Sequence, residues 1–234
     1  ARAEPRAGYL ERFDYWLNHF RYLRATGEVN CLWAQFNEAM AAVKTEKDAA
    51  AGKKRAAETA LPIRIRLVAA VGEAHRHLLS AISTTGGIGN VTNWQQHILP
   101  RLLEGPGAEL ERLLGAPLPP EARPGHAYAG PPRLFIPEVR TSIDAGEALN
   151  ITAVVLGSAI REFGLFHRPL GRGEFARQAF APLGRGVHQA VLPARAIRDD
   201  FEYYVECLPE TGAALRFPAA APAVTQTVIV MRPE

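Results

Sequence analysis

The chain has 234 residues, of which 47% are hydrophobic and 22% charged, and its net charge is +3. That length suits two domains of ordinary size, and the composition is that of a folded globular protein rather than a disordered one. The small basic excess is not gathered into a stripe, which argues against a nucleic-acid partner, and no apolar run approaches the ~20 residues that cross a bilayer, which argues against a membrane span.

The first residues, Ala1-Arg2-Ala3-Glu4-Pro5, do not read as a signal peptide and carry no initiator Met, so a processed or excised piece of something longer is expected. Tyr9, Leu10, Phe13, Trp16, Leu17, Phe20 and Leu23 recur at steps of three and four and predict one apolar helix face, with Gly27 as its stop. The aromatic content of this helix is high for a free-standing bundle and points to packing against another domain. Leu32, Trp33, Phe36, Met40 and Val43 predict a second face. Residues around Ala49 to Gly52 read as a loop or frayed end, and all four lysines, Lys44, Lys47, Lys53 and Lys54, fall in this solvated stretch. Leu61, Ile65, Val68, Val71, His75, Leu78, Leu79 and Ile82 mark a long third helix with Pro62 near its first turn. Thr84 to Asn90 breaks it. Thr92 caps a short helix through Leu103 that Pro100 disturbs, and Pro106 opens another that Gly115 ends.

Proline divides the chain: four of 18 lie within residues 1–116 and fourteen within 117–234. Pro117, Pro119, Pro120, Pro124, Pro131 and Pro132 make 117–132 an extended linker. Beyond it, Leu149, Ile151, Ala153 and Val155 alternate with polar residues as one face of a strand. Leu134–Arg140, Phe163–Arg168, Phe175–Ala181, Val187–Leu192, Phe201–Leu208 and Val224–Met231 supply other strands, with turns at Asp144–Glu147 and Leu170–Gly173. The fold class expected is therefore α+β and multidomain: a helical domain over 1–116, then an immunoglobulin/fibronectin-like β-sandwich over 133–234. Either Tyr203 or Tyr204 reads as the corner tyrosine of such a sandwich. Alternation puts Tyr203 on the buried face and Tyr204, between Glu202 and Glu206, on the wetter one.

The segment Thr84-Thr85-Gly86-Gly87-Ile88-Gly89-Asn90-Val91-Thr92-Asn93-Trp94-Gln95-Gln96-His97 offers what a sugar requires. Asn93, Gln95 and His97 present donors and acceptors, and Trp94 presents a flat apolar face. The plainer reading makes it a helix connection with Trp94 as a buried anchor and Asn93 as a cap. It is not a phosphate loop, because the lysine and preceding strand are missing. His75 and His77 are two apart on a helix and form a poor metal pair, and His97, His126, His167 and His188 are scattered. Cys31 and Cys207 stand outside any metal motif and are expected to be free, buried thiols. Asp199 and Asp200 could bind calcium with nearby carbonyls, but they read first as a turn entering a strand. No serine sits in a nucleophile elbow and no carboxylate pair stands out, so no catalytic residue, metal or cofactor is assigned.

The order of these pieces, carried by Arg12-Phe13-Asp14-Tyr15-Trp16-Leu17-Asn18-His19-Phe20-Arg21-Tyr22, by the Gly86–His97 segment and by Asp200-Phe201-Glu202-Tyr203-Tyr204-Val205-Glu206, resembles the C-terminal portion of large bacterial multidomain glycoside hydrolases. The resemblance implies catalytic acids in an upstream domain, outside this chain. It also implies an upstream catalytic domain as partner and a polysaccharide or oligosaccharide as ligand. The alternative is a protein-interaction or assembly module with no carbohydrate role. A third reading is a self-sufficient enzyme.

Overall fold

The structure, a computed structural model, describes residues 7–125, 127–128 and 130–232. It is a two-part α+β fold: helices first, then a mostly antiparallel β-sandwich. Contacts divide the chain into two compact units, one of Trp16–Ile82 with Gly86–Tyr128, the other of Ala129–Glu234 with Ala1–Tyr15 and Ser83–Thr85.

Helix α1 (Ala7–Lys44) is a single element of 38 residues. It does not stop at Gly27, because helical hydrogen bonds on both sides outweigh one glycine's cost of about 1 kcal/mol. The segment near Ala49 is also ordered. Asp48 accepts the N–H groups of Ala50 and Ala51 and so caps α2 (Ala49–Arg55).

Three internal prolines are absorbed by one device. One π turn, Ala56–Ala60, joins α2 to α3 (Leu61–Ala81) just before Pro62. Further π turns, Trp94–Ile98 and Pro100–Glu104, precede Pro100 and Pro106 and join α4 (Thr85–Asn93) to α5 (Gly105–Leu114). In each case the residue before the proline donates five residues back: Leu61 to Ala56, Leu99 to Trp94, Gly105 to Pro100. The wider turn moves aside the carbonyl that a proline ring would strike in an α-helix. The prolines expected to disturb or open short helices thus lie inside long ones. The break after α3 is confined to Ile82–Thr84, and Thr92 lies within the helix, its hydroxyl donating to the Ile88 carbonyl.

The helical core gathers Val29, Leu32, Phe36, Met40, Leu67, Val71, Leu78, Leu103 and Leu110. The first part of the expected linker belongs to this unit: Leu118 and Ala122 are buried, and buried Arg64 donates from Nε to the Ala122 carbonyl at 3.0 Å. Gly107 makes room for that guanidinium, since a Cβ there would lie 2.5 Å from Arg64 Nη2.

The sandwich has a four-stranded sheet ordered β1-β3-β7-β6 and a six-stranded sheet ordered β2-β10-β8-β4-β5, with β9 also paired to β8. The strands are β1 (Arg133–Phe135), β2 (Ser142–Asp144), β3 (Leu149–Leu156), β4 (Ile160–Pro169), β5 (Ala176–Ala179), β6 (Ala181–Gly184), β7 (Val187–Leu192), β8 (Phe201–Pro209), β9 (Leu215–Phe217) and β10 (Gln226–Met231). Among the described residues, only β2 and β10 pair in parallel. Leu149, Ile151, Ala153 and Val155 all point inward, as alternation requires, against Leu165, Tyr203, Val205 and Val228. The expected strand 175–181 divides at buried Phe180: β5 joins one sheet and β6 the other. Neither Tyr203 nor Tyr204 hydrogen-bonds back to the chain among the described residues, so neither serves as a tyrosine corner. Cys31 is free and exposed, not buried, whereas Cys207 is free and buried.

Candidate functional site

The residues expected to meet a sugar lie on helix rather than loop. Asn93 ends α4, and Trp94, Gln95 and His97 occupy the π turn that follows. Asn93, Gln95 and His97 are exposed, but Trp94 is buried. Its indole Nε1 donates to the Tyr22 hydroxyl at 3.0 Å, and its ring meets Tyr22 edge-on at 6.2 Å and His75 at 6.5 Å. A tryptophan held on its N–H and packed on both rings is an anchor; no ring face is left as a platform for the polar neighbours. Burial holds His75 below the usual histidine range.

Helix α1 carries the largest departure from ordinary burial. Tyr9, Phe13, Trp16, Phe20 and Leu23 are exposed by 61–68%, and Leu10 by 59%. In the second half of the same helix Ala25, Val29, Leu32, Phe36, Met40 and Val43 are buried. At about 100° per residue the two stripes sit on opposite sides of the helix, roughly 180° apart. In the first half, therefore, the apolar side is turned outward. The aromatic side faces solvent, while the other side carries Glu11, Asn18 and Tyr22. Glu11 is exposed, and partial desolvation by its neighbours nudges its carboxyl above the ordinary range against the opposing pull of Arg133 and Arg12. Tyr22 receives the Trp94 bond and Asn18 receives one from His77. Such a row of large rings is far more apolar than a free helix face needs to be, and it is the composition found at the centre of protein interfaces.

The polar groups under this helix form a chain, not a catalytic constellation. Glu73 pairs with Arg76 at 2.6 Å, and Arg76 Nη2 donates to His77 Nε2 at 3.2 Å. That fixes the His77 proton on Nδ1, which donates to Asn18 Oδ1 at 3.1 Å. Burial, then the Arg76 charge, hold His77 below its usual range and so neutral. Among the described residues no three His, Cys, Asp or Glu side chains gather where a metal could sit. His126 lies outside the described residues. Asp199 and Asp200 act within the sandwich: Asp200 Oδ1 accepts the Val230 N–H at 2.8 Å, and Asp199 pairs with Arg232 at 2.6 Å.

One residue escaped the sequence reading. Glu202 sits on the face that alternation marks as wet, yet it is only 7% exposed. It accepts from Arg168 Nε at 2.7 Å, from the Gly171 N–H at 3.1 Å and from the Thr225 hydroxyl at 2.5 Å, which together outweigh burial and lower its pKa. Its partners come from a turn and a distant segment, so no local signal marks it.

No known protein family matches this sequence, and no curated protein does. Among solved structures, a chain from work titled "Structural basis of T cell specificity and activation by the bacterial superantigen toxic shock syndrome toxin-1" aligns over 43% of this chain and 100% of its own. The two are 9% identical, with a TM-score of 0.33, and at that score the likeness bears on neither fold nor function.

Proposed function

We propose that this chain is the noncatalytic C-terminal portion of a bacterial glycoside hydrolase, and that its work is to support an upstream catalytic domain. The observation that carries this reading is the exposed aromatic stripe on the first half of α1. Tyr9, Phe13, Trp16, Phe20 and Leu23 expose their apolar side chains along one helix face, while on the other side the half-buried Asn18 and Tyr22 are held by hydrogen bonds to His77 and Trp94. Covering large apolar side chains contributes about 1.5–3 kcal/mol each, enough to seat a domain firmly. The residues 93–97 contribute to glycan contact, in this reading, only through the exposed amides and imidazole of Asn93, Gln95 and His97. Trp94 holds them in place from beneath.

The test uses the upstream catalytic domain that this reading requires, expressed separately and titrated with this chain. Association is expected, with Phe13→Lys and Phe20→Lys each abolishing it and leaving the chain folded. Absence of association, or association indifferent to both changes, overturns the support role. The alternative, an assembly module without a carbohydrate role, uses the same stripe. Glycosidase assays on the full gene product separate the two: a panel of glycosides left uncleaved favours the assembly module.

A further inference from the structure

The β4–β5 turn and the segment leading into β8 form the walls of a cleft of about 420 Å³ at one end of the sandwich, within the size range of small-molecule sites. Its apolar side is supplied by Pro169, Ala176, Ile197 and Phe201. Each wall is held by an arginine clamp. Arg168 donates from Nε to Glu202 at 2.7 Å and from Nη1 to the Gly173 carbonyl at 3.1 Å, while its guanidinium lies 4.2 Å from the centre of the Phe175 ring. The turn it grips has Gly171 and Gly173 at φ 68° and 73°, and Gly171 gives its N–H to the same Glu202. On the other wall Arg232 donates from Nη2 to the Arg198 carbonyl at 3.2 Å and to Asp199 Oδ1 at 2.6 Å.

Two further arginines, Arg172 and Arg198, line the cleft on those clamped walls. Neither has a hydrogen bond or ion pair from its side chain among the described residues. The carboxylates of Glu202 and Asp199 are already occupied by Arg168 and Arg232. Glu174 is the one lining carboxylate without a cation partner among the described residues. Burial holds His167, also in the lining, below its usual range, so it adds no charge at neutral pH.

We propose that this cleft binds an acidic sugar, its carboxylate or sulfate ester received by Arg172 and Arg198. Glu174 accepts hydrogen bonds from the sugar hydroxyls, and the C–H face rests on the apolar wall. Guanidinium forks suit a planar or tetrahedral oxyanion, and walls fixed in advance lower the ordering cost of binding. A bare anion fits less well, because Glu174 repels it and it has no hydroxyl to donate to that carboxylate. The inference rests on the carbohydrate reading above, and it names the substrate class which that reading leaves open.

The test is calorimetric titration of the full chain at low ionic strength. The probes are a galacturonate trimer, a sulfated galactose trimer, the neutral galactose trimer, and the acetate and sulfate ions alone. At least one acidic trimer is expected to bind about tenfold or more tightly than the neutral one, the scale of one charge-assisted hydrogen bond. Arg172→Gln and Arg198→Gln should each weaken that acidic trimer, and Arg195→Gln, exposed and outside the cleft, should not. Glu174→Gln should weaken the acidic trimer while leaving acetate and sulfate unchanged or tighter. Whichever acidic trimer binds decides between carboxylate and sulfate ester. Equal binding of acidic and neutral trimers, acidic binding unchanged in both arginine variants, or free ions binding as well as the sugars overturns the proposal. So does failure of every probe to bind. None of those results touches the support role, which the α1 titration decides separately.

Discussion

The Trp94 indole donates to the hydroxyl of Tyr22, joining the helix that follows Thr85 to the first half of α1 at 3.0 Å. The indole N–H of buried Trp94 would otherwise be a donor held out of water, so the bond to half-buried Tyr22 fixes the helix pair by satisfying it. Trp94→Ala is expected to destabilise the chain by about 3–5 kcal/mol, the scale of a large aromatic removed from a core. Tyr22→Phe leaves the indole N–H unpaired and should cost about 1–3 kcal/mol. Asn93→Ala, Gln95→Ala and His97→Ala, all exposed, should each stay within about 0.5 kcal/mol. Denaturant unfolding measures all five. A stability loss at Gln95 as large as that at Trp94 would contradict the anchor geometry.

The paired tyrosines of β8 give a direct test of register. Tyr203 is 1% exposed and packs in the sandwich core, while Tyr204 is half-buried on the outer face, stacked on Phe166 at 4.8 Å and edge-on to Phe175 at 5.0 Å. Tyr203→Ala is expected to cost about 3–5 kcal/mol and Tyr204→Ala clearly less. The reverse order in chemical unfolding would require the strand to be slipped by one residue.

Three histidines make the fold sensitive to acid. His75, His77 and His167 are each held below the ordinary histidine range, chiefly by burial. A depressed folded-state pKa means that the unfolded chain binds the proton first on acidification. The stability these groups contribute is therefore present above about pH 6.5 and lost as pH falls below it. The thermal midpoint should drop between about pH 6.5 and 5. His77→Gln keeps one donor for Asn18 and one acceptor for Arg76, and it should make that drop shallower. A His77→Gln profile as steep as the parent's would exclude His77 as a contributor.

The cysteines should differ sharply in reactivity. Cys31 is exposed, and a thiol reagent should modify it in the native chain at neutral pH. Cys207 is fully buried, and burial pushes its thiol up to about 11, so it should react only after unfolding. Because the unfolded thiol ionises first, Cys207's contribution to stability is intact below about pH 8.5 and declines as pH rises toward 11. Two thiols counted in the native chain would show that β8 opens readily. A Cys207→Ala variant should decline less steeply in alkali, as followed by thermal unfolding.

The sequence by itself determined which half would be helical and which stranded. It also determined which residues of β3 and β8 would face the sandwich core. Those are consequences of short-range periodicity: three-and-four spacing suits a helix, and alternation suits a pleated strand. It marked Trp94 as either platform or anchor, with no local feature to separate the two. Only the tertiary structure decided it, by bringing the Tyr22 hydroxyl, distant in sequence, to the indole. The same holds for the continuity of α1 through Gly27, and for the prolines carried by π turns. Local propensity there amounts to about 1–3 kcal/mol, and the hydrogen bonds and packing of a long helix exceed it. Periodicity also found the aromatic stripe of α1 but not its direction. A helix face is apolar whether it turns inward or outward. What set its orientation was the side opposite the stripe, where Asn18 meets buried His77, whose ring N–H is satisfied only if Asn18 faces it.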